Sequence, residues 1–233
     1  MTTSPQDKWF PKRWPAENPD ILQLYSMATP NGQKVSIMLE EIGLPYEPHL
    51  INIMKDDQFD EDFVKINPNS KIPAILDPNG PNDEPMLMME SGAILLYLAE
   101  KSGKLLATDP KERWETIQWL FFQMASVGPM FGQFGHFFKF AAGKTDDYGK
   151  NRYTAETQRL LRVLDKRLSD RDFIMTSGYS VADIAIAPWV KGLEFYEGLE
   201  HLGFANFTHV VDWLNRVLDR PAVEKGRQVC TVS

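Results

Sequence analysis

The feature that most constrains this chain is a pair of apolar segments, the second of which ends at a polar helix start. The first segment, residues 72–76, is entered through an Ile72-Pro73 step, and the second stops at Glu90-Ser91, where a helical pattern begins. This arrangement predicts two strands, the second turning directly into a helix with Ser91 near its N-cap. The chain therefore has to contain an α/β unit built around this turn.

The same turn predicts a binding chemistry. Backbone N–H groups and the positive end of the helix dipole at Ser91 would favour a bound carboxylate, and the adjacent Glu90 would favour an ammonium group. A site that offers a carboxylate and a helix N-terminus about one residue apart suits the free α-amino-acid end of a small peptide.

Composition excludes several classes of partner. The 233 residues carry a net charge of −7 and no basic run, which argues against nucleic acid and anionic membranes. No apolar stretch approaches the length of a membrane span. The four histidines lack ligand spacing, so we expect no metal site. A single cysteine, Cys230, and a polar first twenty residues without an apolar leader predict a cytoplasmic protein.

Three regions follow from the patterns along the chain. Residues 1–20, with Trp9, Trp14 and four prolines, predict an extended arm that packs its tryptophans on the body; a role as lid or dimer clasp stays open. Residues 21–103 have the order β-α-β-α-β-β-α, which predicts a mixed sheet covered by helices. Residues 110–225 show only helical patterns, so a second, all-α domain is expected.

The helical region has two features of its own. The sequence Ser180-Val-Ala-Asp183 predicts a capping box, that is, a folding element. Phe and Met are dense between residues 119 and 140, and we expect most of them in the core, with Phe131, Phe134 and His136 as candidates for lining a cleft. Pro129 predicts a bend in the helix that contains it.

The whole pattern over residues 21–225 resembles a glutathione transferase, in which a thioredoxin-like α/β domain precedes an all-α domain. Motifs spread along the chain are similar to those of the nu class, a bacterial group related to a fungal nitrogen regulator and associated with glutathione-dependent disulfide-bond reductase activity. They are Thr29-Pro30-Asn31-Gly32, Gln58-Phe59, residues 67–74, residues 90–100, Gln118-Trp119-Leu120, Gly128-Pro129-Met130 and Arg152-Tyr153.

The resemblance implies that Thr29 and Asn31 stabilise the thiolate of bound glutathione at the start of the first helix. Lowering a thiol pKa by about two units takes roughly 2.7 kcal/mol, which one or two charge-assisted hydrogen bonds and a helix dipole can supply. Tyr25 and Ser26 are rivals, because other glutathione transferases use Tyr or Ser in this region. By itself, Thr-Pro-Asn-Gly is also a good helix-entry turn.

The resemblance assigns further residues to the peptide. Pro73 resembles the cis-proline of thioredoxin-like folds, whose turn would aim the backbone of Ile72 at the cysteinyl part of glutathione. Glu90 and Ser91 would hold its γ-glutamyl end. Gln58 and Lys71 are either polar contacts or solvated surface residues, and Arg152 either approaches the active site or lies on the surface.

The sequence thus predicts a cytoplasmic, homodimeric enzyme that reduces disulfides with bound glutathione as co-substrate. Because Cys230 is the only cysteine, the reducing sulfur cannot be a glutaredoxin-type protein thiol in the N-terminal domain. The resemblance implies that two glutathione molecules, or one oxidised glutathione, can occupy the site. The alternatives are conjugation of small electrophiles, hydroperoxide reduction, or a non-catalytic glutathione-binding regulatory protein.

Overall fold

The computed structural model describes residues 9–232, which form two compact units. The first unit contains residues 9–102 together with residues 222–232, and the second contains Gly103–Pro221. Each unit has its own elements and core.

The first unit is built on a four-stranded mixed sheet with the strand order β2-β1-β3-β4. The strands are β1 (Leu22–Ser26), β2 (Tyr46–Leu50), β3 (Ala74–Asp77) and β4 (Met86–Met89). β1 pairs parallel with β2 and antiparallel with β3, and β3 pairs antiparallel with β4. With the helices α1 (Pro30–Ile42), α2 (Glu61–Ile66) and α3 (Ser91–Ser102), the predicted order β-α-β-α-β-β-α is confirmed.

The sheet has an apolar layer on each face. Tyr25, Ala74 and Leu76 point to one face and cluster with Phe63 and Ile66 of α2. Strand residues alternate between faces, so the fully buried neighbours of these residues point the other way, toward the pair of contacting helices α1 and α3.

The described part of the arm packs on the first unit, as predicted. Trp9 and Trp14 lie against the cluster that surrounds Tyr25 and Phe63, and the Trp14 and Phe63 rings meet edge to face at 6.5 Å. Arg13 pairs with Asp57 and with Asp60, which tethers the arm to the segment after β2. The first eight residues of the predicted arm lie outside the described residues.

The second unit is helical throughout its regular structure, as expected. Its α-helices are α4 (Pro110–Phe122), α5 (Gly128–Gly135), α6 (Asp147–Leu168), α7 (Val181–Phe195), α8 (Leu199–Leu202) and α9 (Thr208–Leu218). The predicted capping box is confirmed at the start of α7, where Ser180 and Asp183 cap each other's backbone N–H groups.

One expectation for the aromatic-rich segment needs correction. Phe131 and Phe134 are fully buried in the core of the second unit, so they line no cleft, whereas His136 is exposed. Their burial follows from their spacing on α5, which turns both rings inward. Pro129 lies in the first turn of α5, directly after a π-helical turn at Gln123–Val127. There the missing proline N–H costs little, since the chain has already left α-helical hydrogen bonding.

The C-terminal end differs from the predicted domain boundary at residue 225. After α9, a short helix α10 (Pro221–Gly226) carries the chain onto α1 of the first unit. Ser36 Oγ donates to the Gly226 carbonyl at 2.7 Å, and Lys225 pairs with Glu40 at 2.7 Å. A Cβ on Gly226 would come within 2.6 Å of the Ile37 Cα, so only glycine permits this close approach.

Within residues 9–232, no helix is both long enough and apolar enough to cross a membrane.

Candidate functional site

The strand register brings the candidate residues of the first unit to one end of the sheet. Ala74 pairs with Tyr25 near the end of β1 and with Met89 at the end of β4, and Ser26 pairs with Leu50 at the end of β2. Four segments therefore lie at the same end of the sheet: those that follow β1, β2 and β4, and the one that precedes β3. These segments carry all the predicted site residues except Arg152: Thr29, Asn31, Gln58, Lys71, Ile72, Pro73, Glu90 and Ser91.

Thr29 is the N-cap of α1. Its Oγ1 accepts a hydrogen bond from the Gly32 N–H at 3.3 Å, while Pro30 occupies the first helical position. Since this bond uses an oxygen lone pair, the hydroxyl hydrogen points elsewhere and is able to donate. A Cβ at position 32 would lie 1.9 Å from the Met27 carbonyl oxygen, so glycine is required for the chain to fold back this tightly. Asn31 follows within the first turn and is half-buried.

The two rival residues for thiolate stabilisation lie inside the protein. Tyr25 is fully buried and stacks on His49 at 4.7 Å, and its hydroxyl has no hydrogen-bond partner among residues 9–232. Burial holds the pKa of Tyr25 above its ordinary value. Ser26 is 2% exposed and its hydroxyl lies 3.4 Å from the Met27 carbonyl. A ligand at the surface would reach neither hydroxyl without displacing the chain around it.

Glu90 and Ser91 form the junction between β4 and α3. Ser91 is the first residue of α3, and Glu90 directly precedes it with a φ of 69°. This left-handed conformation is uncommon for a residue with a Cβ, and such residues are concentrated at functional sites. Glu90 is exposed, whereas Ser91 is buried, so the carboxylate faces solvent and the hydroxyl lies beneath it.

Lys34 was not among the predicted site residues, yet it lies directly behind Ser91. Its side chain is fully buried on α1, and Nζ donates to Ser91 Oγ at 3.2 Å. Burial lowers its pKa to about 7, against the opposing effect of the Glu90 charge. The only hint in the sequence is a lysine on the apolar face of α1, between Gly32 and Val35.

The peptide bond between Ile72 and Pro73 is cis, as predicted. Pro73 is buried and Ile72 is half-buried. Asn67 holds the preceding loop in shape, since its Nδ2 donates to the Lys71 carbonyl at 2.6 Å and its Oδ1 accepts from the Asn69 N–H at 2.9 Å. The exposed Lys71 side chain lies at the surface of this loop.

Gln58 belongs to a 3₁₀ turn, Asp57–Phe59, that follows β2. Its Oε1 is buried and has no hydrogen-bond partner among the described residues. The turn is held by Asp57, whose carboxylate accepts from the Asn52 N–H at 2.9 Å and pairs with Arg13 of the arm. The arm thus supports the segment that carries Gln58.

Arg152 lies in the second unit and is exposed on α6. It lines a cavity of about 710 Å³ together with Met130, Tyr153 and Arg159. Glu156, also at this cavity, pairs with Arg159 at 2.7 Å. The cavity therefore presents Arg152 as a cationic group at its wall.

Comparisons with known proteins identify the family. Residues 28–101 match the model of the glutathione S-transferase N-terminal domain, and residues 127–221 match that of the C-terminal domain. The chain is 46% identical over 217 residues to the disulfide-bond oxidoreductase YghU of Escherichia coli, covering 89% of this chain and 74% of the relative. The chain belongs to the glutathione S-transferase family.

Solved structures of other family members have the same fold. A glutathione transferase from Pseudomonas putida with one glutathione disulfide bound per subunit is 52% identical, with a TM-score of 0.91 over 93% of this chain and 95% of that one. A second, from Burkholderia graminis with two glutathione molecules bound per subunit, is 50% identical, with a TM-score of 0.93 over 97% and 95%. The predicted family and the thioredoxin-like and helical domains are thereby confirmed.

This glutathione transferase places its only cysteine near the start of α1. The Cys230 carbonyl accepts a hydrogen bond from the Ala28 N–H at 3.0 Å, so the C-terminal tail lies beside the loop that ends at Thr29. Burial raises the pKa of the Cys230 thiol to about 11. The thiol is therefore protonated at neutral pH and is a weak nucleophile.

Among residues 9–232, no three or more His, Cys, Asp and Glu side chains are grouped closely enough to hold a metal ion.

Proposed function

We propose that this glutathione transferase reduces disulfides with the thiolate of bound glutathione. The observation that carries the proposal is that, at one end of the sheet, a hydroxyl at a helix N-terminus lies near a protein thiol that is only a weak nucleophile. Thr29 and the N-terminus of α1 offer donors to a bound sulfur, whereas Cys230 has a raised pKa. The attacking sulfur would then come from glutathione.

In the proposed binding mode, each part of glutathione meets the chemistry that suits it. The α-ammonium of the γ-glutamyl group faces Glu90, and its carboxylate meets the hydroxyl of Ser91 and the N-terminus of α3. The cysteinyl backbone pairs with Ile72 beside Pro73, and its sulfur lies near Thr29 and Asn31. Gln58 and Lys71 would contact the remaining amides and carboxylate. The role of Arg152 in glutathione binding stays a prediction.

The proposed reaction proceeds through two thiol–disulfide exchanges. The first glutathione thiolate attacks one sulfur of the substrate disulfide, forming a mixed disulfide and releasing the other half as a thiolate that takes up a proton. A second glutathione thiolate then attacks the glutathione sulfur of the mixed disulfide, which yields oxidised glutathione and the second thiol. Two glutathione molecules are oxidised for each disulfide reduced.

A side-by-side assay tests this function. We expect the purified chain, supplied with glutathione, to accelerate reduction of 2-hydroxyethyl disulfide well above the uncatalysed exchange, with oxidised glutathione as the product. Faster turnover of a chloronitroaromatic or of a hydroperoxide would instead favour conjugation or peroxide reduction. Glutathione binding without turnover of any of the three would favour the regulatory alternative.

The Cys230→Ser variant provides the matched control for the source of the sulfur. We expect this variant to retain its disulfide reductase rate within about twofold, because the Cys230 thiol is protonated at neutral pH. Loss of most of the rate, measured in the same disulfide reduction assay, would place the reacting thiol on the protein and contradict the mechanism.

We also propose that the enzyme is a cytoplasmic homodimer. The first unit exposes large apolar side chains, including Met54 at 81% and Phe59 at 61%, which a second copy of the chain would cover. Light scattering is expected to give twice the mass of the chain. A monomer at micromolar concentration would refute the dimer.

A further inference from the structure

Lys34 is a buried cation that the proposed reaction does not use. Its side chain is inaccessible to solvent although it lies within a helix of the first unit. Removing an ammonium group from water is unfavourable, and an apolar residue of the same length would pack there at lower cost. A lysine kept at such a buried position is therefore a candidate for a role in binding or chemistry.

In the hydrogen bond between Lys34 and Ser91, the lysine is the donor and the serine hydroxyl oxygen is the acceptor. In its protonated form, which a bound carboxylate would favour, Lys34 Nζ can only donate, so it occupies a lone pair of Ser91 Oγ and the hydroxyl hydrogen points away from Lys34. The positive charge also polarises the hydroxyl group and makes it a stronger donor. Ser91 lies at the N-terminus of α3, at the sheet edge shared with Thr29 and Ile72.

Glu90 completes the arrangement. Its exposed carboxylate precedes Ser91 directly and attracts the Lys34 charge, as the direction of its effect on the lysine indicates. The junction thus holds a negative group at its outer surface and a positive group behind it. A zwitterionic α-amino acid presents the complementary pair of charges.

We propose that Lys34 is a positioning residue of the glutathione site, which orients the hydroxyl of Ser91 toward the γ-glutamyl carboxylate and places a positive charge behind it. This inference rests on the proposed binding of glutathione. It adds a residue that acts through Ser91 and that touches neither the sulfur nor the substrate disulfide.

The first test compares Lys34→Met with wild type by calorimetric titration with reduced glutathione. We expect the dissociation constant to rise about tenfold, with a higher KM for glutathione and a kcat at saturation within about twofold. An analogue that lacks the γ-glutamyl α-carboxylate should bind both proteins equally. Lys65→Met, which removes a surface charge from α2, serves as the matched control and should change neither constant.

A double-mutant cycle with Ser91→Ala separates positioning from a merely structural role. Ser91→Ala should itself weaken glutathione binding, and Lys34→Met should add less than a further twofold in that background, because both changes remove one linked interaction. The melting temperature of Lys34→Met should equal or exceed that of wild type, since a buried charge is lost. Independent, multiplicative effects of the two substitutions would overturn the proposal.

A measurement on the wild-type chain covers the case in which Lys34→Met does not fold. In an NMR titration of the Lys34 side chain, the midpoint is expected near its lowered pKa of about 7, and bound glutathione should raise that midpoint by about one unit. An unchanged midpoint with glutathione bound would refute the inference. Glutathione binding without disulfide turnover would instead refute the proposed reaction alone, and absence of glutathione binding would refute both.

Discussion

Replacing Thr29 by alanine is expected to lower glutathione-dependent disulfide turnover by about fivefold to a hundredfold. The substitution removes one hydroxyl donor at the N-terminus of α1, and a charge-assisted hydrogen bond of this kind contributes on the order of 1–3 kcal/mol to the thiolate. The pKa of the bound glutathione thiol should rise by about one to two units, since its charged form loses a partner. Asn31 and the helix dipole remain, so activity falls without vanishing.

Thiolate absorbance titrated against pH measures this effect directly. Thr29→Ser retains both the hydroxyl and the N-cap, so it should keep most of the activity and the low thiol pKa. Ser26→Ala is the second control, because among residues 9–232 the buried Ser26 hydroxyl makes one long contact, with the Met27 carbonyl. A large shift in Ser26→Ala with an unchanged midpoint in Thr29→Ala would transfer the role to Ser26.

Replacing Asp183 by alanine is expected to cost the helical unit about 3–5 kcal/mol of unfolding free energy. The Asp183 carboxylate is fully buried and accepts four hydrogen bonds. One oxygen accepts from the Ile174 N–H at 2.8 Å and from Trp213 Nε1 at 2.9 Å. The other accepts from the backbone N–H and the hydroxyl of Ser180, at 2.9 and 3.0 Å. Alanine would leave these donors buried and unpaired.

Urea unfolding followed by circular dichroism checks this expectation. The exposed Asp212 on α9 offers a matched control, and Asp212→Ala should stay within about 0.5 kcal/mol of wild type. A loss of less than about 1 kcal/mol in Asp183→Ala would show that these donors find other partners, and it would contradict the role assigned to Asp183.

The local elements were predictable because their signals are local. The apolar strand segments, the proline-led start of α1 and the Ser180-to-Asp183 capping box each lie within a few residues, and the structure has them where the patterns indicated. The Glu90-Ser91 junction was predictable for the same reason, since an apolar segment followed by an acid, a hydroxyl and a helical pattern predicts a strand that turns into a helix.

The contacts between distant segments were decided only by the tertiary structure. The hydrogen-bonded residues Lys34 and Ser91 are 57 residues apart in the sequence, and Ser36 and Gly226 are 190 residues apart. Because of this separation, no local sequence pattern predicts either contact. Burial likewise distinguished residues that the sequence left equivalent, because Tyr25 and Ser26 are buried whereas the half-buried Thr29 caps α1. Residue type and spacing thus determined which elements form, but the packing of α1 against α3 and α10 decided which polar groups meet and what each can still bind.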